Sequence, residues 1–451
     1  MRGKLSKSAL LCLLCCLTGA FAAELDVDRL TLKGYTTKEV PFYTIYEPIE
    51  FVLEMDFGGQ ELEGNYTLDW SCSGDDGVTQ KGQSAATEPV HIQTVLDRPG
   101  FVHVHALLRD PDGKAVVNAK GVGEAGKVTF DGGAGVDVEQ IHGIPEPPDF
   151  DGFWKRQLAK LDELPLAVNY MTEVPSPMEG VKVYAVSVAC PGPAPVTGYL
   201  AIPEGAAEHS LPAIVRFQGY STNLQQVSRW LSKSAVIFEI NAHGYELGRE
   251  QSYYDEFGKG IHPEGYTYAF SPDENAKPET AYFRFMALRV LRALEYVKSL
   301  PEWNGKDLVA EGGSQGGLQT VWAAGLDPDV SLARPSITWG CNFSATEPGG
   351  RLHGNWFVKY APGLEYFDAI SHIARAKCPV EIPRAGLGDY VCPPSGQAAL
   401  FNAIKTPKSI LWVQGSQHGL VPPQPNQTYK IGDFDSTGGE SKSQSASSDV
   451  K

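Results

Sequence analysis

Ser314 stands in Gly312-Gly-Ser-Gln-Gly316, a spacing that could do acyl chemistry. The residues before it, Asp307–Ala310, read as a short apolar strand, and Gln315–Ala324 reads as a helix. A serine on so sharp a turn between strand and helix is strained and pushes its hydroxyl out of the sheet. A Cβ at either flanking glycine would clash with strand or helix. In a chain with 48 glycines the match alone is weak. A serine hydroxyl is also a poor nucleophile at neutral pH, so the hypothesis requires a base to take its proton and an acid to orient that base.

His418 is the best candidate base of ten histidines, because Gly415-Ser-Gln-His-Gly419 follows the last apolar strand, Ile410-Leu-Trp-Val413. Asp389 is the candidate acid. It ends a strand that runs into a glycine-containing turn and lies between Ser314 and His418 in the chain. Asp327 and Asp368 are its rivals, but neither is at the carboxyl end of a strand. The order Ser, Asp, His is that of an α/β-hydrolase. An oxyanion would need two N–H donors. Gln315, directly after the nucleophile, supplies one, and Tyr220 in Gln218-Gly-Tyr220, after Ala213–Phe217, supplies the other.

The elements that must position these groups alternate between strand and helix. Strands are expected at 181–188, 197–202, 213–217, 235–240, 307–310, 333–338, 379–386 and 409–413. Helices are expected at 279–299, 315–324 and 394–404. Two early antiparallel strands followed by βα units imply a mostly parallel, doubly wound sheet, with reactive groups at the carboxyl ends of the strands. This α/β unit is assigned to residues 150–425. Residues 23–140 instead read as an all-β sandwich of immunoglobulin type, with short alternating runs such as Ile49–Met55 and Phe101–Leu108 between turn signals. Residues 141–149 form a proline-rich linker, and 426–451 are polar and read as a disordered tail. His103 and His105 share a strand face. No third metal ligand is evident, so surface or half-buried histidines are expected. Trp70 reads as core ahead of a sugar-stacking platform.

Residues 1–22 read as a cleavable signal peptide: basic Arg2, Lys4 and Lys7, an apolar core at Ala9–Leu17, and Ala20-Phe-Ala22 at the cleavage site. A secreted or periplasmic location follows, with no membrane insertion. Loss of the leader takes the net charge from −16 to −19, which argues against nucleic acid as a partner. Five cysteines remain. Their spacing matches no zinc pattern, and whether Cys378 and Cys392 pair is left open.

The chain resembles the carbohydrate esterase family that contains acetyl xylan esterases and cephalosporin C deacetylases. Six blocks carry the resemblance: Asp149-Phe-Asp-Gly-Phe-Trp154, Gln218-Gly-Tyr220, Tyr282-Phe-Arg284, Gly312-Gly-Ser-Gln-Gly-Gly317, Ala374-Arg-Ala-Lys-Cys-Pro379 and Gly388-Asp-Tyr-Val-Cys-Pro-Pro394. The resemblance implies an α/β-hydrolase that removes acetyl groups from sugar hydroxyls through an acyl-enzyme. Ser314, Asp389 and His418 would be its triad and Tyr220 and Gln315 its oxyanion hole, with no metal or organic cofactor. Two positions depart from the family. Ala242-His-Gly-Tyr245 stands where Arg-Gly-Gln is common, and Gly419 where Glu often follows the histidine. The expected substrate is an acetylated poly- or oligosaccharide. A peptidase or longer-chain esterase of the same fold, or a silent glycan-binding protein, is the alternative. The identity of the sugar and the oligomeric state stay open.

Overall fold

The computed structural model describes residues 25–61, 64–117, 126–346, 350–354, 356–419, 421 and 427–436. The leader expected at 1–22 lies outside them. No helix among the described residues is long and apolar enough to cross a membrane.

The N-terminal region is all-β. Its strands are β1 (Thr31–Thr36), β2 (Phe42–Tyr43), β3 (Ile49–Asp56), β4 (Thr67–Gly74), β5 (Thr79–Ala85), β6 (Val90–Thr94), β7 (Gly100–Arg109) and β8 (Thr129–Val136). They form a three-stranded sheet, β1-β3-β6, and a five-stranded sheet, β2-β8-β7-β4-β5. Side chains alternate along a strand. On β7 this sends Val102, Val104, Ala106 and Leu108 into a core shared with Phe51 and Leu53 of the other sheet. His103 and His105 therefore face the opposite way. Trp70 packs against that core, across Gly82.

A ten-stranded sheet makes the rest of the molecule, in the order β18-β17-β16-β15-β14-β12-β13-β11-β10-β9. Its strands are β9 (Val168–Val174), β10 (Val181–Val188), β11 (Val196–Pro203), β12 (Leu211–Phe217), β13 (Val236–Ile240), β14 (Trp303–Gly313), β15 (Leu332–Ser336), β16 (Val380–Gly386), β17 (Lys408–Val413) and β18 (Thr428–Ile431). From β13 to β17 all neighbours pair in parallel, and the two flanks are antiparallel. The helices are α1 (Phe150–Asp162), α2 (Gln251–Ile261), α3 (Tyr282–Lys298), α4 (Gln315–Leu326), α5 (Ala369–Ile373) and α6 (Pro394–Ala403). Helix α3 is buried on most sides. Its Arg292 donates to the carbonyls of Leu161 and Leu164 at the end of α1, where a cation suits the free carbonyls of a helix C-terminus.

All eight strands expected in this unit are present, as are the three helices. β15 ends at Ser336, short of the expected Thr338, because Ile337 turns into positive φ (40°). Within the span expected to be a disordered tail, Thr428–Ile431 instead pairs with β17 as an edge strand. Backbone pairing there outweighs the polar composition. The proline-rich segment is held down: Asn402 donates to the carbonyls of Val138 and Ile141, and Glu146 pairs with Arg375. Arg375 also pairs with Asp151 and lies over the Phe150 ring, so two of the six sequence blocks meet as scaffold.

The all-β region and the large sheet pack directly on one another. Phe101 and Phe42 both rest on Trp412 of β17, and Phe101 belongs to the large core.

Candidate active site

Ser314 sits between β14 and α4 with φ 59° and ψ −121°, a conformation rarely open to a residue with a Cβ. The glycines explain how the turn closes. A Cβ on Gly312 would lie 2.6 Å from the Gly316 carbonyl oxygen, and one on Gly316 would lie 2.2 Å from that of Phe217. Both are backbone atoms and cannot yield. The same contact sets the loop after β12 against the elbow.

His418, after β17, brings Nε2 to 3.1 Å from Ser314 Oγ, while its Nδ1 stands 2.9 Å from Asp389 Oδ2. A carboxylate only accepts, so Nδ1–H donates to Asp389 and Nε2 is free to accept the serine proton. Asp389 is fully buried after β16. Its other oxygen accepts from the backbone N–H groups of Val391 (3.0 Å) and Cys392 (2.9 Å). The structure therefore brings together the three residues selected from sequence. It also separates the rivals. Asp368 caps α5 and accepts N–H groups of Asn342, Phe343 and Ile370; burial raises its pKa to about 6. Asp327 pairs with Lys298.

The two expected oxyanion donors lie on the loops that meet at the elbow. Among the described residues, neither Tyr220 N–H nor Gln315 N–H has a hydrogen-bond acceptor. The loop after β12 is tied to α4, because Gln319 Nε2 donates to the Gln218 carbonyl at 2.9 Å. Above it, the Tyr220 ring stacks on Tyr268 (4.1 Å between centroids), and Tyr268 in turn donates to Gln315 Oε1.

The departure at His243 has a structural counterpart. His243 Nε2 donates to the Ser221 carbonyl (3.0 Å), and Nδ1 accepts from the Tyr282 hydroxyl (2.8 Å). Asn241 Oδ1 accepts the N–H groups of His243 and Gly244. Burial pushes the His243 pKa down to about 3, so the ring stays neutral and can keep both roles. This bridge from α3 to the Tyr220 loop was not foreseen from sequence. A histidine in a departure from a family block was the available signal.

A cavity of about 50 Å³ is lined by Trp339, Phe343, Trp356, Val391 and Cys392. Burial pushes the pKa of the Cys392 thiol well up, so the sulfur stays protonated. Tyr390 does not line the cavity and stacks on His103. Cys392 with Asp389 and His418 is the one cluster of metal-type ligands among the described residues, and its carboxylate and imidazole already serve each other and Ser314. All five cysteines of the described chain are free, Cys378 and Cys392 included.

Sequence reading missed Asp131. Its Oδ1 lies 2.9 Å from both His103 Nε2 and His105 Nδ1, and its Oδ2 accepts from Gln417 Nε2 at 2.6 Å. The glycine-rich Asp131-Gly-Gly-Ala-Gly135 was the only signal, and glycine hides a strand.

The family model for acetyl xylan esterase (AXE1) matches residues 139–347 and 359–434. Acetyl esterase Axe7A of Xylanibacter ruminicola is 26% identical over 282 residues, which are 60% of this chain and 63% of that protein. Among solved structures, an acetyl xylan esterase from Paenibacillus sp. R4 is 26% identical, with a TM-score of 0.52 over 63% of this chain and 94% of its own. Acetyl xylan esterase 1 from Thermoanaerobacterium sp. JW/SL YS485 is 21% identical, with a TM-score of 0.53 over 64% of this chain and 93% of its own. The fold is that of an α/β-hydrolase, and with a family match over more than half its length the chain belongs to the acetyl xylan esterase family.

Proposed function

We propose that this protein is an exported serine esterase that removes acetyl groups from acetylated poly- or oligosaccharides. The observation that carries the reading is the pair of distances from Ser314 Oγ to His418 Nε2 (3.1 Å) and from His418 Nδ1 to Asp389 Oδ2 (2.9 Å). His418 takes the hydroxyl proton as Ser314 attacks the ester carbonyl, and Asp389 stabilises the imidazolium and fixes its tautomer. The N–H groups of Tyr220 and Gln315 receive the oxyanion. Return of the proton expels the sugar hydroxyl, and a water activated by His418 then releases acetate from the acyl-enzyme.

The likeness to an acetyl esterase and to an acetyl xylan esterase supports an acetyl ester. Export through the leader at residues 1–22 is part of the same reading.

Ser314→Ala is expected to lower acetate release from acetylated xylan or 4-nitrophenyl acetate by roughly 10⁴–10⁶ in kcat, the scale of removing a triad serine. Acetate release at the wild-type rate from that variant would reject the assignment.

A further inference from the structure

We propose that the N-terminal β region is a positioning element for this site, in which Asp131 holds the loops carrying Asp389 and His418 in register with Ser314. The inference rests on the reading of Ser314, Asp389 and His418 given above. It assigns a task to a region that the family match, which begins at residue 139, leaves out.

Both loops are gripped from β8 and β7. Gln417, the residue before His418, donates its amide to Asp131 Oδ2. Three residues earlier, the Gln414 side chain makes two hydrogen bonds to Gly133 of β8, one to its N–H and one to its carbonyl, each 2.9 Å. Tyr390, the residue after Asp389, stacks on His103 with centroids 3.9 Å apart. The two loops are also joined to each other, as Gly388 N–H donates to the Ser416 carbonyl (3.2 Å).

The approach is close enough to demand glycine at 388 and is tight at 133. A Cβ on Gly388 would sit 2.1 Å from the Asp131 carbonyl oxygen, and one on Gly133 would sit 2.2 Å from that of Val102 and 3.1 Å from that of Leu387. Asp131 is itself largely buried. Burial pushes its pKa up, but the hydrogen bonds from His103 and His105 outweigh that and hold the carboxyl below its usual range. A buried carboxylate is a costly way to join two surfaces, and apolar packing would serve as well if adhesion were all that was needed. What the carboxylate adds is direction: one oxygen takes two imidazoles of the β region and the other takes the neighbour of the base. Asp131, Gln417 and His103 are thus positioning residues, acting through His418 and Asp389.

Gln417→Glu sets a second carboxylate against Asp131. In the full chain, kcat for 4-nitrophenyl acetate should fall about 10- to 100-fold, the cost of a misplacement near 1 Å, with KM unchanged. Amide exchange in the peptide spanning 414–419 should quicken. Adding Asp131→Asn to that variant restores a donor opposite the new carboxylate, and should recover most of the kcat and slow the exchange again. If Gln417→Glu does not fold, Gln417→Ala removes the donor without adding charge and should lower kcat by less in the same direction. Wild-type kcat and exchange in the Gln417 variants, or a double variant no better than the single one, would overturn the proposal. The exchange measurement does not depend on the reaction. If Ser314→Ala proves fully active, the esterase reading fails while exchange still decides whether Asp131 holds the loop.

Discussion

The two halves of the candidate site are supported in different ways. Ser314 and the Tyr220 loop are held from inside the large sheet. Glycines at 312 and 316 let the elbow close on Phe217, Gln319 of α4 ties down Gln218, and His243 anchors Ser221 to α3. Asp389 and His418 sit on longer excursions past β16 and β17, and their loops lean on β8 of the N-terminal region through Asp131 and Gly133. The first half is built from contacts within the large sheet and its helices. The second half depends on strands nearly 290 residues away in sequence. On the proposed reading, one sheet assembles the nucleophile and its oxyanion donors here, whereas the base and its acid lean on a second body.

The sharpest test of that contrast is a clash on the inner side. Gly316→Ala drives a methyl group into the Phe217 carbonyl, 2.2 Å away, and neither backbone can retreat without opening the sheet. Both the elbow and the Tyr220 loop should shift. We expect kcat/KM to fall by about 10³, the upper range for losing an oxyanion donor, together with about 1–3 kcal/mol of stability from overpacking. Kinetics with an acetyl ester and a urea titration of the same variant check both. A variant with normal kinetics would show that the elbow tolerates a wider gap than its backbone contacts allow.

The same division explains what could be read from the sequence. The elbow is a local pattern, with strand, glycines, serine and helix all within Asp307–Leu326, so its residues declare themselves. His418 and Asp389 were found because chain order and strand ends restrict where a base and an acid can stand. Among the eight inner strands, those of the parallel stretch were legible because both faces of a parallel sheet are buried, which leaves apolar runs such as Val236-Ile-Phe238. What stayed hidden was non-local. β8 contains Gly132, Gly133 and Gly135 in place of β-branched residues, because side chains of Gln414, Phe130 and Val138 or the Val102 backbone occupy the space of each Cβ, and that erases its strand signature. β9 is exposed over six of its seven residues, and β18 is a short polar edge strand, so neither has an apolar period to show. Asp131 offered no signal as a partner of Gln417, since nothing in a single sequence links positions so far apart.

On the outer side, the matching test is Gly388→Ala. The added methyl group would meet the Asp131 carbonyl oxygen at 2.1 Å, but here the obstacle is another region of the molecule, not the same sheet. The loop can yield by moving off β8, taking Asp389 with it. We expect kcat to drop about 10- to 100-fold with a much smaller change in unfolding midpoint than for Gly316→Ala. If Gly388→Ala instead unfolds the protein as readily as Gly316→Ala does, the two halves are equally integral and the contrast fails.

The smallest effect concerns protons. His243 supports the inner half as a neutral ring, and burial pushes its pKa from 6.5 down to about 3. Because the folded value lies below the unfolded one, the stability it contributes is present above about pH 6.5 and is lost as pH falls toward 3. His372, buried and also pushed down to about 3, acts in the same sense. Asp368, raised to about 6 by burial, acts in the opposite sense: its contribution is complete below about pH 3.8 and is lost as pH rises through 6. Asp75, Glu239 and Glu274, also raised by burial, act in the same sense as Asp368, so between pH 4 and 6 several carboxyls oppose the two histidines. His243→Gln keeps a donor for the Ser221 carbonyl and an acceptor for the Tyr282 hydroxyl but cannot titrate. It should change the slope of stability against pH over this interval by about one proton, about 1.4 kcal/mol per pH unit, relative to the parent chain. Urea unfolding of both chains at pH 4, 5 and 6 measures the difference. Equal slopes would mean that protonation on the inner half is carried by another group.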